Sequence, residues 1–426
     1  MSDPSLPGSA TRRGFLAGAV TAAGLAGSTA ALGTPPLIKT PTIATDGIEP
    51  FYARHQGGIV TPLQAHSYFA VFDMISDRRD DLVALLQAWT NVAAPLTQGA
   101  LVPGISDDPN APAADSGEVA GLKPGRLTLT FGFGPSLFSK DGHDRYGIAA
   151  RRPEALIDLP HFVGDQLVPE RTGGDLSVQA CGDDPQVTFH AIRQLARAAD
   201  GIAKFRWAQA GFVPGYAARE TPRNLMGFKD GTMNVAVDDA AATARYLWVG
   251  EEGGAWMRGG TYLVARPIRI ALEHWDRMKL GFQEQTFGRQ KASGAPIGGS
   301  HEFDALDLEA NDPDGNPRIA ENAHARLAAP QANDGAQILR RSYSYDNGLS
   351  FVAERWPPWR HGLELDAGLL FICYQRDPRN GFVKIFDRMS KFDMLNQFVT
   401  HIGGGLFACP GGCRPGQYIG QALFAA

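Results

Sequence analysis

A single acidic side chain lies between glycines in residues 224–232, which read Asn-Leu-Met-Gly-Phe-Lys-Asp-Gly-Thr. Glycine lets the backbone approach a flat ligand closely and leaves the Asp230 carboxylate free to point into a cavity. A carboxylate in such a position can accept a proton and return it to a reacting group. An isolated Asp-Gly pair is more often an ordinary turn, so the residue types alone leave both interpretations open.

His324 is a second candidate, in residues 321–330, which read Glu-Asn-Ala-His-Ala-Arg-Leu-Ala-Ala-Pro. Neutral imidazole is a common metal ligand, and an acid on its other ring nitrogen makes it a stronger donor. The chain has ten histidines, and a histidine taken alone is more often a surface or core residue than a ligand. Its local sequence therefore makes His324 a candidate ligand and no more.

Two adjacent arginines, Arg340 and Arg341, lie in a run that predicts a strand at residues 339–345. Successive side chains of a strand face opposite sides, so only one of the two guanidinium groups can enter a given pocket. A guanidinium held there would stabilise negative charge that develops during a reaction.

The elements that must position these side chains alternate between the two periodicities of secondary structure. Strands are predicted at residues 67–74, 127–133, 176–181, 261–270, 339–345 and 369–375, and helices at 79–90, 186–199 and 382–398. Because strands and helices interleave, an α+β fold fits best. A weak similarity between the two halves, each with strands followed by helices, indicates two related βα-rich units.

The N-terminal residues have the pattern of an export signal. Residues 11–16, Thr-Arg-Arg-Gly-Phe-Leu, precede an apolar run rich in alanine and glycine that ends near residue 32. This order is typical of a twin-arginine signal, and the run is too short and too rich in glycine for a good membrane span. We expect cleavage between residues 30 and 44, an exported protein and no membrane span after signal removal. Residues 1–45 are thereby assigned to the signal and its linker.

The overall composition excludes several classes of protein. The chain has 426 residues, a hydrophobic fraction of 44% and a formal net charge of −5. It can therefore bury a large core, and it has no basic surplus that would point to nucleic acid. The four cysteines include no C-x-x-C pair of a zinc or redox site. Cys409 and Cys413 could close a small disulfide loop or lie in an ordinary turn.

The sequence resembles the dye-decolourising (DyP-type) haem peroxidases. Residues 227–231 match the G-x-x-D-G motif of that family, and residues 323–330 resemble its A-H-x-R-L-x-x-P stretch. Similar positions at 58–62, 173–176, 283–289 and 403–407 extend the resemblance over most of the chain that follows the signal. With the export signal, the chain is most similar to the EfeB-like periplasmic deferrochelatase/peroxidase subgroup.

The resemblance implies haem b as the cofactor and a role for each candidate. His324 is implied as the ligand of the haem iron, Asp230 as the acid–base group and Arg340 as the distal arginine, which leaves Arg341 to a structural ion pair or the surface. Asp393 is the best match for the carboxylate behind the histidine, and Asp387 competes with it. The resemblance also implies haem contacts from six further residues: Gly231, Thr232, Met233, Ala329, Pro330 and Gln331.

The implied fold is a pair of ferredoxin-like halves packed as a dimeric α+β barrel. Residues 46–250 would form the half that carries the G-x-x-D-G motif, and residues 251–426 the half that carries His324 and Arg340. The implied activity is reduction of hydrogen peroxide with one-electron oxidation of dyes or phenolic donors. Alternatives are a deferrochelatase, which releases iron from haem and leaves protoporphyrin intact, and a haem carrier. A homodimer and iron-uptake partner proteins are further expectations from the family.

Overall fold

The computed structural model describes residues 47–102, 108–216, 220–353 and 361–425. The predicted signal and linker at residues 1–45 lie outside these ranges. The strands within them are β1 (His66–Met74), β2 (Thr128–Phe133), β3 (Leu176–Gly182), β4 (Ala203–Phe212), β5 (Thr261–Ile270), β6 (Leu339–Arg340), β7 (Tyr343–Ala353), β8 (His361–Gln375), β9 (Val399–His401) and β10 (Gly405–Cys409).

The helices cover the faces of the sheet. They are α1 (Arg79–Leu96), α2 (Pro135–Phe138), α3 (Pro185–Ala198), α4 (Ala240–Tyr246), α5 (Leu272–Trp275), α6 (Leu280–Phe287), α7 (His324–Ala328) and α8 (Lys384–Phe392). A π-helical turn, Arg379–Val383, leads into α8. Short 3-10 turns lie at Ala149–Arg151, Pro169–Arg171, Glu251–Gly253, Pro330–Ala332, Met394–Gln397 and Gln421–Leu423.

The sheet contains the same strand order twice. In the first half the neighbours run β4-β1-β3-β2, and in the second β7-β8-β5-β10, which is the antiparallel order of a ferredoxin-like fold in each. β4 pairs with β7 through Phe212 and Ser344, and β2 pairs with β10 through Phe133 and Ala408. These two junctions close the strands into one ring, so the α+β fold with two ferredoxin-like halves in a barrel is confirmed.

The core follows from the alternation of side chains along the strands. In β1, Phe69 and Val71 belong to a buried cluster inside the barrel, whereas Phe72 and Met74 pack in a second cluster with helices α1 and α3. Helix α3 begins where the Asp184 carboxylate accepts the N–H groups of the next turn. Strands buried on two sides therefore carry nearly continuous apolar sequence.

Four of the predicted elements differ from the structure by more than one residue, and one of them is the strand predicted at 369–375, which begins at His361 as β8. The single strand predicted at 339–345 is interrupted after Arg340, because the hydroxyl of Ser342 takes the N–H of Ile372 on β8. The helix predicted at 382–398 is wrong beyond Phe392, since Asp393 has extended backbone angles and a 3-10 turn follows. Helix α1 extends past the predicted residue 90 to Leu96, because Ala93 and Leu96 continue its buried face.

Two smaller expectations also have outcomes. All four cysteines are buried thiols, so Cys409 and Cys413 are not bonded. None of the helices in the described ranges is both long enough and apolar enough to cross a bilayer.

Candidate active site

The three candidate residues from the sequence line one cavity. Asp230, His324 and Arg340 all contribute to its wall, and its empty volume, including the open mouth, is about 1540 Å³. Most of the remaining wall is apolar and comes from β5, α6, β8, α8, β9 and the short turns on either side of α8: Ile268, Ile270, Phe287, Leu369, Phe371, Phe382, Ile385, Phe386, Met389, Leu395 and Val399.

His324 is the first residue of α7 and is held by Asp393. Its Nδ1 donates to Oδ2 of Asp393 at 2.7 Å, and the Asp393 side chain is only 3% exposed. Among the described residues Nε2 of His324 has no hydrogen-bond partner, so the lone pair of that nitrogen is available to a metal ion. The competing residue, Asp387, lies on the exposed side of α8 and pairs with Lys391 at 2.7 Å.

A close approach between two segments brings His324 to the cavity. Helix α6 ends at Gly288, whose φ of 77° is left-handed. A Cβ on Gly288 would lie 2.9 Å from Ile319 and 3.2 Å from Ala323, the residue before His324. Glycine at this position therefore allows the chain that carries His324 to pack against the end of α6. The ring of Phe287 contacts the imidazole with 5.8 Å between centroids.

The Asp230 carboxylate projects from a tight loop. Asn224 organises this loop, because its side-chain oxygen accepts the N–H groups of Met226 and Phe228 and its own N–H donates to the carbonyl of Phe228. Phe228 is buried and stacks on Phe287 with 4.0 Å between ring centroids. Since Phe287 also contacts His324, one aromatic ring fixes both candidate segments.

Arg340 pairs with Asp230. Nη1 of Arg340 lies 3.0 Å from Oδ1 of Asp230, and the two side chains are 27% and 16% exposed. Arg341 points elsewhere: it is buried and donates to the carbonyl of Thr61 and the side-chain oxygen of Gln64. The prediction that Arg341 belongs to an ion pair or the surface is therefore wrong, because it is buried and its Nη1 and Nη2 donate to neutral oxygens. Its buried Nε has no hydrogen-bond partner among the described residues. The cavity wall includes Arg340 and not Arg341, which agrees with the prediction that only one of the two arginines enters it.

Of the six expected contact residues, five line the cavity and one does not. Gly231, Thr232, Met233, Ala329 and Pro330 are in its wall. Gln331 is exposed and lies outside the wall, because the 3-10 turn at Pro330–Ala332 directs it away.

Sequence reasoning missed Arg289. Its Nη1 donates to the carbonyls of Gly294 and Glu302 at 2.8 and 2.9 Å, whereas its buried Nη2 has no hydrogen-bond partner among the described residues. Burial lowers the pKa of Arg289, the Glu302 carboxylate raises it and Arg340 lowers it. A buried cation with one unused donor fits an anionic group in the cavity. The Phe-Gly-Arg run at 287–289 is the signal that could have indicated it.

His401, on β9, is a second residue that was missed. It lines the cavity, is 8% exposed, and its buried Nδ1 has no hydrogen-bond partner among the described residues. Burial lowers the pKa of His401 well below its ordinary value, and the nearby Arg266 lowers it further. The imidazole is therefore neutral, and nothing in the local sequence distinguishes it from the other histidines.

Comparison with known proteins agrees with this geometry. Two family profiles match, "Dyp-type peroxidase, N-terminal" over residues 56–213 and "Dyp-type peroxidase, C-terminal" over residues 221–414. The chain is similar to the deferrochelatase of Escherichia coli strain K12, with 37% identity over 385 residues that span 88% of this chain and 87% of the relative.

Solved structures of similar proteins have the same fold. A DyP-type peroxidase from Streptomyces coelicolor is 39% identical with a TM-score of 0.81, over 91% of this chain and all of that protein (100%). Ferric DtpA from Streptomyces lividans is 38% identical with a TM-score of 0.81 over the same shares, 91% and 100%. A DypB variant from Rhodococcus jostii in complex with haem shares the fold at 23% identity, with a TM-score of 0.57 over 83% and 95% of the two chains. This chain therefore belongs to the Dyp-type peroxidase family and is a haem-dependent peroxidase.

Proposed function

We propose that the protein reduces hydrogen peroxide and oxidises dyes or phenolic donors by one-electron steps, with His324 as the iron ligand and Asp230 and Arg340 as the catalytic pair. The observation that carries this proposal is the presence, in one cavity, of an imidazole backed by a buried carboxylate and of a carboxylate–guanidinium pair at 3.0 Å. Carriage of haem alone does not require the second pair.

The cavity fits haem b in three respects. Apolar side chains form most of the wall, as a flat hydrophobic macrocycle requires. His324 would hold the iron through Nε2, with Nδ1 held by Asp393. Arg289 offers an unused buried N–H donor to a carboxylate at the edge of the macrocycle. Backbone of the segments at Gly231–Met233 and Ala329–Pro330 would line the remaining edges, whereas Gln331 is dropped from the contact set.

Each side chain then has a defined task in peroxide cleavage. Haem, when bound, would supply the two electrons that cleave the O–O bond. The Asp230 carboxylate would accept a proton from one peroxide oxygen and return it to the other, which would leave as water. Arg340 donates hydrogen bonds to the departing oxygen and offsets its negative charge. Asp393 accepts the Nδ1–H of His324 and so increases electron donation by Nε2.

The overall balance is that of a peroxidase. One hydrogen peroxide and two donor molecules, each giving one electron and one proton, yield two waters and two donor radicals. The donors need not enter the cavity in this scheme, because electrons are transferred singly.

Deferrochelation is the second candidate, and the E. coli relatives with that name favour it. They are 37% identical to this chain over 385 residues. In this reaction two protons replace the iron on the porphyrin nitrogens, and the macrocycle remains whole. Asp230 would then supply protons to the ring, and Arg340 would not be essential.

The proposal also covers where the protein is exported to, its oligomeric state and the boundary between its two halves. The twin-arginine pattern at residues 11–16 supports export to the periplasm and, with the deferrochelatase relatives, a role in iron acquisition with iron-uptake partners. A homodimer is expected from the family resemblance. We assign residues 46–250 and 251–426 to the two halves, which agrees with the repeated strand order.

The decisive experiment incubates the purified protein with haem and a phenolic donor, with and without hydrogen peroxide. Absorbance follows the donor radicals and the Soret band, and mass spectrometry measures free protoporphyrin. Peroxide-dependent donor oxidation with intact haem supports the proposal. Protoporphyrin release that Arg340→Leu does not reduce, without donor oxidation, would replace it with deferrochelation.

A further inference from the structure

Asn234, four residues after Asp230, is bonded twice to the backbone of Arg340. Its Oδ1 accepts the N–H of Arg340 at 2.6 Å, and its Nδ2 donates to the carbonyl of Arg340 at 2.7 Å. The two residues are 106 positions apart in the chain. This contact therefore joins the loop of the catalytic acid to the strand of the catalytic arginine.

The pairing satisfies an edge of β6 that pairs with no other strand in the described part of the chain. Strand β6 has only two residues, and one of its edges pairs with β8 through Cys373. On the opposite edge, the N–H and C=O of Arg340 point in the same direction, as they do for any residue in an extended strand. A side-chain amide carries one acceptor and one donor side by side, so Asn234 takes the place of a neighbouring strand.

The position of Asn234 is in turn linked to that of Asp230. The N–H of Asn234 donates to the carbonyl of Gly231 at 3.1 Å, which closes a turn directly after the acid. Gly231 has a φ of 103°, a conformation that favours glycine. A shift of this turn would move the Asp230 carboxylate and, through Asn234, the backbone of Arg340.

We propose that Asn234 is a positioning residue that holds Arg340 in register with Asp230. It acts on the backbone at the root of a long side chain, where a small change in φ or ψ displaces the guanidinium by an ångström or more. Misplacement of a catalytic group by about 1 Å can cost on the order of a hundredfold in rate. This inference rests on the proposed roles of Asp230 and Arg340 in peroxide cleavage.

The first test uses the protein without haem and does not depend on activity. Hydrogen–deuterium exchange of the Arg340 amide is measured in the wild-type protein, Asn234→Ala, Asn234→Asp and the control Asn347→Ala. Asn347 also makes two side-chain hydrogen bonds, but it is exposed on the β7–β8 hairpin, and these bonds go to Gln209 and Asp366 rather than to Asp230 or Arg340. Loss of the acceptor should speed exchange about tenfold in Asn234→Ala.

Asn234→Asp keeps the acceptor for the Arg340 N–H and loses the donor to its carbonyl. Exchange in this variant should therefore stay slower than in Asn234→Ala, and it covers the case in which the alanine variant folds poorly. Exchange in Asn347→Ala should match the wild-type protein. Equal exchange in Asn234→Ala and the wild-type protein would show that Asn234 does not hold the backbone of Arg340.

The second test is a double-mutant cycle on the rate of reaction of the haem-loaded protein with peroxide. Asn234→Ala should slow the wild-type protein about 10-fold to 100-fold, with the Soret band retained. In the Arg340→Leu background the same change should have less than about a twofold effect, because the residue that it positions is gone. An equal loss in both backgrounds would refute the positioning role. If Arg340→Leu alone reacts as fast as the wild-type protein, the proposed function fails. The exchange test still shows separately whether Asn234 holds the backbone of Arg340.

Discussion

Oδ2 of Asp393 lies 2.7 Å from Nδ1 of His324, while Oδ1 of the same carboxylate accepts the backbone N–H of Leu395 at 2.8 Å. The side chain thus caps the 3-10 turn that follows α8 and holds the imidazole at the same time. Because the cap fixes the carboxylate, the imidazole is held in one tautomer, with the proton on Nδ1 and the lone pair on Nε2.

We therefore expect Asp393→Asn to weaken haem binding by about 10-fold to 100-fold. An amide has only one oxygen, so it can either cap Leu395 or accept from His324, and the imidazole loses its fixed tautomer. The affinity is measured by titration of the haem-free protein with haem at the Soret band. Asp387→Asn, on the exposed side of α8, is the matched control and should bind as the wild-type protein does. If Asp387→Asn weakened haem binding and Asp393→Asn did not, Asp387 would be the carboxylate that supports His324.

His324→Ala should remove the proposed iron ligand and with it stable haem binding. Added imidazole should restore the Soret band, since it can occupy the space that the side chain leaves. His143→Ala, a change at an exposed histidine, should leave haem content unchanged. Full haem content with an unaltered spectrum in His324→Ala would contradict the ligand assignment.

Arg340→Leu and Asp230→Asn should retain haem and lose most of their reaction with peroxide. Removal of one preorganised donor or one acid–base group typically costs about 100-fold to 1,000-fold. Stopped-flow absorbance gives the rate constant. Arg258→Leu provides a control at an exposed arginine that pairs with Glu251. Normal peroxide turnover by Arg340→Leu would show that the catalytic assignment is wrong.

Arg289→Gln should lower the affinity for haem and leave the affinity for haem dimethyl ester nearly unchanged. The reason is that Nη2 of Arg289, which has no partner among the described residues, would bond a carboxylate at the haem edge more strongly than its methyl ester, since a hydrogen bond to a charged group contributes about 1.5–3 kcal/mol. The comparison of the two haems separates this contact from a general loss of packing around Gly294. An equal loss for both haems would mean that Arg289 is structural only.

The stability of the haem-free protein should fall as pH falls below 6.5, in part because of His401. Burial and Arg266 lower the pKa of His401 in the folded protein, so below its ordinary value of 6.5 the unfolded chain binds the extra proton. One such proton changes the free energy of unfolding by at most about 1.4 kcal/mol per pH unit. The contribution of His401 to the free energy of unfolding is thus fully present above pH 6.5, and it is lost as the pH falls from there toward the lowered pKa.

Urea unfolding between pH 5 and 8 tests this expectation. His401→Gln should show a shallower pH dependence than the wild-type protein, and His143→Gln should not, because water surrounds that side chain in the folded and the unfolded chain. Arg266 and its ion-pair partner Asp165 remain in all three proteins. An unchanged slope in His401→Gln would show that another group causes the acid sensitivity.

Local sequence was informative wherever a short segment carries its own chemistry. The G-x-x-D-G motif predicted that Asp230 enters a cavity, and the alternation of a strand predicted that only one of Arg340 and Arg341 does so. The strand at Thr261–Ile270 has the bounds expected from its apolar run. These features depend on neighbours within a few residues, so the sequence contains them directly.

Other features depend on contacts between distant segments. The helix predicted to continue past Phe392 ends there, because Asp393 caps a new turn and bonds His324. The choice between Asp393 and Asp387 followed from that packing. The unused donor of Arg289 could not be predicted either, since a donor is unsatisfied only in relation to everything around it.

The sequence by itself determined the residue types, the two periodicities and the motifs that relate this chain to its family. The tertiary structure alone decided that the Asp230 loop meets Arg340 through Asn234, 106 residues away. The physical reason is that the closed sheet brings both halves of the chain to one cavity. Such long-range hydrogen bonds leave no periodic signal in the residues that make them.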